Sequence, residues 1–382
     1  MIQLFFRVEG NEHIGLGHLM RCFALSQAAR RAHIDVVFIC NQASKEFLLS
    51  RHQWQGQIVV INDSRWNDTT ALDAVNERNN RDIDFIAKCM LEFSSKESPK
   101  NRQMLVLDGY QFDHSYQNVL FKSKILFAYL DDINTFLQNN KNHEADIIIN
   151  GAGAAKQLGY EKNAPNSIQC LGPQYLLLRP EFMNLPLIPI VERHSLLICF
   201  GGADAQNYTV KMLCALSQLK FQHPVRVVTG AAYKGQKNLM ECIQDGWLAY
   251  ENVRQQISMP IQYIHDAQDM SDIMLHSRLS VSAAGGTQFE LMRCYTPSFL
   301  VVVADNQMPA ALQSSKEGWC CTSDWRHKSD YIGLAKQIII EYDDTDSLMA
   351  KQQKAYKCLQ PDAHSGANNV LDVFKDLLNS RC

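Results

Sequence analysis

The residues with the clearest potential for chemistry lie in a glycine-containing stretch near the N-terminus. His18 follows Gly15 and Gly17, between a predicted strand at 3–8 and a predicted helix at 19–32. Glycine allows a ligand to approach the backbone, and the N-terminus of a helix disfavours imidazolium. A neutral imidazole can take a proton from water, so His18 is a candidate general base. A helix-capping or buried structural histidine remains an open alternative.

A second pair of glycines interrupts an apolar run in the C-terminal half. Gly285 and Gly286 follow a predicted buried strand at 279–283, and Thr287 and Glu290 have the spacing of a capping box. The helix is therefore expected to start at Thr287, with its first N–H groups directed over the glycines. Such an end favours anions, and a diphosphate is the obvious candidate. The alternative is that Glu290 only caps the helix.

Polar residues also follow other predicted strands. Because parallel strands end at a common sheet edge, these residues are expected at the ligand-binding edges of their sheets. They are Asp108 and Tyr110, Asp131 and Asp132, Gly201, Gly202 and Asp204, and the group Asp305, Asn306 and Gln307. Asn306 could instead only form a turn, and Asp132 could be the N-cap of the next segment.

Composition excludes several classes of function. The chain of 382 residues has a net charge of −3, which gives no broad basic surface for nucleic acid. No apolar run approaches the ~18 residues of a membrane span, and no signal peptide is apparent. We therefore expect a cytoplasmic protein that does not insert into a membrane.

The 12 cysteines lack metal-ligand spacing and are expected to be reduced. Met20 stands where a dinucleotide fingerprint would have its third glycine, so no cofactor is expected.

The alternation of strands and helices predicts an α/β protein of two Rossmann-like domains. The proline-containing stretch 167–189 is the best linker, giving an N-terminal domain at 1–185 and a C-terminal domain at 186–382. Residues 63–103 are polar, with helical periodicity, and are expected to be a solvated helix and connector without a site.

Ordered motifs across most of the chain resemble the UDP-sugar hydrolases of pseudaminic acid biosynthesis. The opening pattern of that family, R-x-D-x4-IGxGHxxRC, is similar to Arg7-Val8-Glu9 followed by Ile14 to Cys22. The similarity continues through further motifs: Asp108-Gly109-Tyr110, Leu130-Asp131-Asp132, Leu178 to Phe182, Phe200 to Asp204, Ser282 to Thr287 with Glu290, and Ala304 to Gln307.

The resemblance implies a GT-B fold, in which two Rossmann-like domains face a central cleft. It also implies metal-independent hydrolysis, with inversion, of UDP-2,4-diacetamido-2,4,6-trideoxy-β-L-altropyranose. His18 corresponds to the catalytic base, Tyr110 and Asn306 to residues near the sugar or water, and Glu290 to the acid that holds the ribose. The expected substrate-binding residues are Arg7, Gly15, Gly17, Arg21, Asp131, Gly201, Gly202, Asp204, Gly285, Gly286, Thr287, Glu290, Asp305 and Gln307.

Three departures from the family pattern leave the sugar open. Glu9 stands where the family has Asp, Ser277-Arg278 replaces an Ala-Asp pair, and 63–103 is long. Two other functions also remain open. A glycosyltransferase would use His18 to activate an acceptor hydroxyl, and a nucleotide-sugar binding protein would bind UDP without turnover. The expected partner is a UDP-sugar, bound by a monomer.

Overall fold

The computed structural model describes residues 2–10, 16–61, 72–94, 102–250, 253–358 and 366–381. The chain divides into two compact units. The first contains Met1–Gly10, His18–Pro180 and Asp362–Cys382, and the second is built mainly from Glu181–Pro361. Each unit has helices around a sheet of parallel strands, so the predicted α/β class with two Rossmann-like domains is confirmed.

The first unit contains a sheet of seven parallel strands: β1 (Gln3–Val8), β2 (Asp35–Cys40), β3 (Gln57–Val60), β4 (Gln103–Asp108), β5 (Phe127–Leu130), β6 (Ile147–Asn150) and β7 (Ile168–Leu171). Its helices are α1 (Gly17–Arg31), α2 (Gln42–Leu49), α3 (Leu72–Glu92), α4 (His114–Lys122), α5 (Thr135–Gln138) and α6 (Tyr160–Asn163). The strand order is β3-β2-β1-β4-β5-β6-β7. The direction of connection reverses between β1 and β4, which makes the carboxyl ends of these strands the expected ligand position.

The central strands of this sheet are apolar because both of their faces are covered. Every residue of β1 and β4 is buried, as parallel strands between two helical layers require. Phe5, Leu105 and Leu107 belong to one core with Ile83 and Ile86 of α3. The paired strands hold their carboxyl ends level, with Val8 opposite Asp108.

The second unit contains six parallel strands: β8 (Ser195–Cys199), β9 (Val225–Thr229), β12 (Ile261–His265), β13 (Ser277–Ala283), β14 (Ser298–Val302) and β15 (Cys320–Asp324). A separate antiparallel pair is formed by β10 (Trp247–Tyr250) and β11 (Val253–Gln256). The helices are α7 (Tyr208–Gln218), α8 (Gln236–Gln244), α9 (Met270–Leu275), α10 (Thr287–Arg293), α11 (Met308–Glu317), α12 (Tyr331–Asp343) and α13 (Thr345–Cys358). The sheet order is β12-β9-β8-β13-β14-β15, so the reversal lies between β8 and β13.

The division into units differs from the predicted domains in two places. Strand β7 lies within the stretch predicted as a linker, because its apolar residues pair with β6. The last helix, α14 (Gly366–Ser380), belongs to the first unit although the sequence assigned it to the second domain. Its Asn369 side chain donates to the Gln174 carbonyl at 2.8 Å.

Helix α3 is more than the solvated connector predicted for 63–103. It buries Ile83 and Ile86 in the core of the first unit, and it also buries the charged side chain of Asp82. Residues 62–71 and 95–101 lie outside the described part of the chain. No helix within the described ranges combines the length and apolar composition that crossing a membrane would need.

Candidate active site

His18 lies at the reversal point of the first sheet, as the second residue of α1. Its Nδ1 atom is 2.6 Å from Oδ1 of Asp108, the last residue of the neighbouring strand β4. A carboxylate oxygen can only accept a hydrogen bond, so this contact requires a proton on Nδ1, and in the neutral imidazole Nε2 then keeps its lone pair. Nε2 makes no hydrogen bond to any residue that the structure describes. This is the arrangement that a general base needs.

Arg21, one turn further along α1, donates hydrogen bonds to both oxygens of the same carboxylate. Its Nε atom donates to Oδ2 of Asp108 at 2.5 Å and its Nη2 atom to Oδ1 at 2.6 Å. The Cys22 thiol donates to Oδ2 at 3.6 Å, and burial together with the Asp108 charge raises the pKa of that thiol well above its usual range. Asp108 is fully buried and surrounded by donors, which fixes its orientation towards His18.

A second carboxylate completes the group. Asp132 accepts hydrogen bonds from Arg21 Nη1 and, at 2.7 Å, from the Tyr110 hydroxyl. The Tyr110 ring stands edge-on to the His18 ring, with centroids 5.1 Å apart. Burial opposes ionisation of Asp132, but the Arg21 charge, and the charge of His18 when it is protonated, lower the pKa of this carboxyl. We call His18, Arg21, Asp108, Tyr110 and Asp132 the His18 cluster.

The structure assigns different surroundings to the two adjacent aspartates. Asp131, which was predicted to bind substrate, is buried and accepts from the Tyr160 hydroxyl at 3.0 Å. Burial and the neighbouring Asp132 charge raise the pKa of Asp131 to about 6. Successive side chains at a strand end point in opposite directions, so only Asp132 reaches the His18 cluster. The N-cap alternative for Asp132 does not hold, since Asn134 is the N-cap of α5.

Arg7 was also predicted to bind substrate, but its side chain is fully buried among other residues of the first unit. Its Nε atom donates to Asp82 of α3 at 3.1 Å, and its Nη2 atom lies 2.9 Å from Glu9. Tyr116 donates to the same Asp82 at 2.5 Å. Burial opposes the charge of Arg7, yet Asp82 and Glu9 together raise the pKa of Arg7 above its ordinary value. These contacts give Arg7 a structural role.

In the second unit, the glycine turn after β13 lies at the reversal point of the sheet. Helix α10 starts at Thr287 as predicted, but Gly286 is its N-cap and supplies no side-chain hydrogen bond. The capping-box interpretation is therefore wrong, because Thr287 is already the first helical residue and Glu290 lies in the first turn. A Cβ atom on Gly286 would meet no atom of the described residues within 4 Å. The space above this turn is open.

Two neighbouring turns border the same edge. The Gln307 Oε1 atom accepts from the Val303 backbone at 2.9 Å, and its Nε2 atom would lie 3.9 Å from a Cβ on Gly285. Asp305 accepts from Arg326 at 2.6 Å, and Arg326 also pairs with Asp324 at the end of β15. Asn306 lies between Asp305 and Gln307 in a single 3-10 turn. The sequence did not point to Arg326.

The residues of the loop after β8 have two different roles. The glycines allow the backbone conformation of the loop, and Asp204 caps the next helix. Gly201 has a φ of +82°, in the region that favours glycine, and Gly202 follows it. Asp204 is buried and accepts from the backbone N–H groups of Tyr208 and Thr209 at 2.8 and 2.9 Å. Its carboxylate therefore serves the start of α7, and burial raises its pKa.

The structure thus groups the predicted residues into two sets. His18, Arg21 and Tyr110 meet in the first unit, and Gly285, next to Gly286 in the chain, lies near Gln307 in the second. Gly17 opens α1, whereas Gly15 lies outside the described residues. Asp108 and Asp132 were expected at this sheet edge but were given no role in the site, and the structure pairs both with Arg21 and Asp108 also with His18. In the described part of the chain, no three His, Cys, Asp or Glu side chains are arranged to hold a metal ion.

Comparison of the sequence with known proteins finds one distant relative. No protein-family model matches the sequence. An uncharacterized protein of Methanocaldococcus jannaschii is 21% identical over 353 residues, which cover 87% of this chain but only 64% of the length of that relative.

Solved structures resemble the chain over nearly its whole length. MurG of Acinetobacter baumannii has a TM-score of 0.60 at 13% identity, covering 98% of this chain and 100% of its own. UGT2 of Phytolacca americana, solved with UDP-2-fluoro-glucose and pterostilbene, has a TM-score of 0.63 at 11% identity and covers 98% and 100%. UGT89C1 of Arabidopsis thaliana, solved with quercetin, has a TM-score of 0.62 at 11% identity and covers 97% and 99%. The predicted GT-B fold is confirmed.

Proposed function

We propose that this protein hydrolyses a UDP-linked sugar at the anomeric carbon, with inversion, releasing UDP and the free sugar. The observation that carries the proposal is the hydrogen bond of 2.6 Å between His18 Nδ1 and Asp108. It leaves Nε2 of a partly exposed histidine able to take a proton, at the switch point of a sheet.

The reaction is a single displacement. Water attacks the anomeric carbon on the face opposite the leaving group, and His18 Nε2 takes a proton from the water as the new C–O bond forms. The bond between the anomeric carbon and the phosphate oxygen breaks, and its electron pair leaves with UDP. Asp108 then stabilises the imidazolium, which later gives its proton to solvent.

The turns of the second unit suit the role of nucleotide binding. Gly285 and Gly286 leave open space beside Gln307, so the phosphate groups of a nucleotide could approach the backbone closely. The resemblance assigns Glu290 to the ribose hydroxyls and Asn306 to the neighbourhood of the sugar or water, and it implies that Asp305 binds substrate. The structural neighbour from Phytolacca americana binds a UDP-sugar analogue, which supports a UDP-sugar as ligand.

The sugar is proposed from the resemblance of the motifs alone. It is 2,4-diacetamido-2,4,6-trideoxy-L-altrose, released by a cytoplasmic, monomeric enzyme for pseudaminic acid biosynthesis. The proposed reaction includes no step that requires a metal. Because Glu9 contacts Arg7 and receives a hydrogen bond from Asn41 at 3.2 Å, the longer side chain is accommodated inside the first unit.

A glycosyltransferase is the second candidate. It is favoured by the similarity to a glycosyltransferase of Rickettsia africae, with a TM-score of 0.55 at 12% identity. His18 could deprotonate an acceptor hydroxyl as readily as water. The two functions differ in a simple requirement, since a transferase releases UDP rapidly only when an acceptor is present.

The deciding experiment follows UDP release and the sugar anomer by NMR, with the purified protein, the UDP-linked diacetamido-trideoxy-altrose and no acceptor. The proposal predicts release of the inverted free sugar. His18→Ala should lower the rate by about 10²- to 10⁴-fold. UDP affinity, measured by calorimetry, should remain nearly unchanged.

His52→Ala is the matched control, because His52 is an exposed histidine of the same unit. It should leave the rate and the UDP affinity unaltered. Slow release that an added acceptor accelerates would identify a transferase. Full activity of His18→Ala would remove His18 from the mechanism.

A further inference from the structure

We propose that Asp132 is a positioning residue of the His18 cluster, which holds Arg21 and Tyr110 together and so fixes the Tyr110 ring against His18. The inference rests on the proposed function and gives a role to Asp132, a motif residue to which the resemblance assigns none.

The two carboxylate oxygens of Asp132 have separate partners. Oδ1 accepts from Arg21 Nη1, and Oδ2 accepts from the Tyr110 hydroxyl at 2.7 Å. The remaining nitrogens of Arg21, Nε and Nη2, donate to Asp108. All three guanidinium nitrogens are therefore engaged, and a planar guanidinium held at both ends has one orientation. Asp132 thereby connects the partner of His18 with Tyr110.

The backbone of Asp132 is itself held in place by hydrogen bonds to neighbouring buried residues. Its backbone N–H donates to Asp131 Oδ1 at 2.8 Å, and its carbonyl accepts from Asn150 Nδ2 at 3.0 Å. The same Asn150 amide donates to the Tyr160 hydroxyl at 3.1 Å, and Tyr160 donates to Asp131. Asp131, Tyr160 and Asn150 are all buried. A carboxylate on such a support can orient the groups that it binds.

Tyr110 needs an anchor because much of its side chain faces solvent. The residue is 44% exposed, yet its ring stands at 86° to the His18 ring. A half-exposed tyrosine normally samples several rotamers. The hydrogen bond to Asp132 favours the one that places the ring edge beside the imidazole.

Asp132 also balances charge around His18. The charged and titratable groups around it are Asp108 of β4, Arg21 of α1, Tyr110, Asp132 and, through Asp108, the Cys22 thiol. Asp108 is shared between His18 and the permanent cation Arg21. Without Asp132, the Arg21 guanidinium would lose one of its two carboxylate partners.

The test compares Asp132→Asn with Tyr110→Phe in protein carrying labelled histidine and aromatic rings. In both variants the nuclear Overhauser effect between ring 110 and the His18 ring should weaken.

Turnover of the UDP-sugar provides a second readout. Both variants should lower kcat by about 10-fold or more, with a smaller change in KM, since misplacement affects the reacting geometry more than binding. Asp84→Asn, which removes an exposed carboxylate of α3, should change none of these quantities.

The outcomes separate this inference from the proposed function. If wild type releases no UDP but the ring contact weakens as expected, the positioning role stands and the hydrolase proposal fails. If wild type is active but Tyr110→Phe keeps the full ring contact, Asp132 is not a positioning residue. Should Asp132→Asn fail to fold, the ring contact in Tyr110→Phe alone decides.

Discussion

The His18 cluster of the first unit and the glycine turns of the second lie at equivalent places in their sheets, but they are built in opposite ways. Both follow the strands between which the strand order reverses, β1 and β4 in one sheet and β8 and β13 in the other. In the first unit, charged side chains fill this place with hydrogen bonds. In the second, Gly286 leaves it open.

The difference shows how one sheet architecture can support two tasks. A proton transfer requires a side chain with one tautomer and one orientation, which Asp108 and Arg21 give to His18. Binding of a diphosphate requires accessible backbone N–H groups and room for the phosphates, and a glycine turn provides both. We therefore expect substitutions in the first unit to affect kcat, and substitutions at the turns of the second to affect binding.

After His18 itself, the largest effect should come from Asp108→Asn. An asparagine at this position presents an amide that can donate, so His18 Nδ1 loses its dedicated acceptor and the tautomer with a basic Nε2 is no longer favoured. Arg21 loses part of its pairing at the same time. We expect kcat to fall by about 10²- to 10³-fold, with UDP affinity nearly unchanged.

Steady-state kinetics and calorimetry with UDP would measure these two quantities, with circular dichroism to verify folding. Asp84→Asn again serves as the control for loss of one carboxylate from the same unit. A loss of UDP affinity in Asp108→Asn as large as its loss of kcat would contradict the division between the two regions.

A smaller effect, on UDP affinity instead of on kcat, is expected from Gly286→Ala. Gly286 has a φ of −54°, which any residue adopts, and a Cβ there meets no described atom within 4 Å. The free protein should therefore keep its stability. UDP affinity should fall by about 10-fold, because the new methyl group would occupy space needed by the ligand.

Gly318→Ala makes the matched control. Gly318 ends α11 with a φ of +81°, so alanine should destabilise the fold there by about 1 kcal/mol without affecting UDP binding. Thermal unfolding and calorimetry would separate the two variants. If Gly286→Ala bound UDP as tightly as wild type, the turn after β13 would not be the diphosphate site.

The sequence predicts the sheets well because their signals are local. The predicted strands at 3–8 and 279–283 end where β1 and β13 end in the structure, since a buried parallel strand is apolar on both faces. The glycine turns are predicted for a similar reason. Local patterns also mislead, and Thr287 with Glu290 shows this, because the spacing of a capping box does not decide which residue is the N-cap.

The pairings inside the site depend on strand order, which the sequence does not contain. Arg21 meets Asp108 and Asp132 across 87 and 111 residues. Arg7 belongs to a motif that suggested substrate binding, but its partner Asp82 is 75 residues away on a helix predicted to be solvated. A single sequence gives no signal for such contacts, since each partner alone resembles an ordinary surface charge.

The smallest effect should come from Arg326→Gln, which tests whether the turn after β14 requires a fixed carboxylate. Arg326 donates to Asp305 at 2.6 Å and holds Asp324, whose pKa it lowers to about 2. Exposed ion pairs add little to stability and are screened by salt. We expect KM for the UDP-sugar to rise about 2- to 5-fold, with kcat unchanged, because Asp305 loses its orientation but no group of the His18 cluster is touched. In wild type KM should rise with added salt, and in Arg326→Gln that dependence should largely disappear. A fall in kcat comparable to that of Asp108→Asn would instead mean that the second unit takes part in the chemical step.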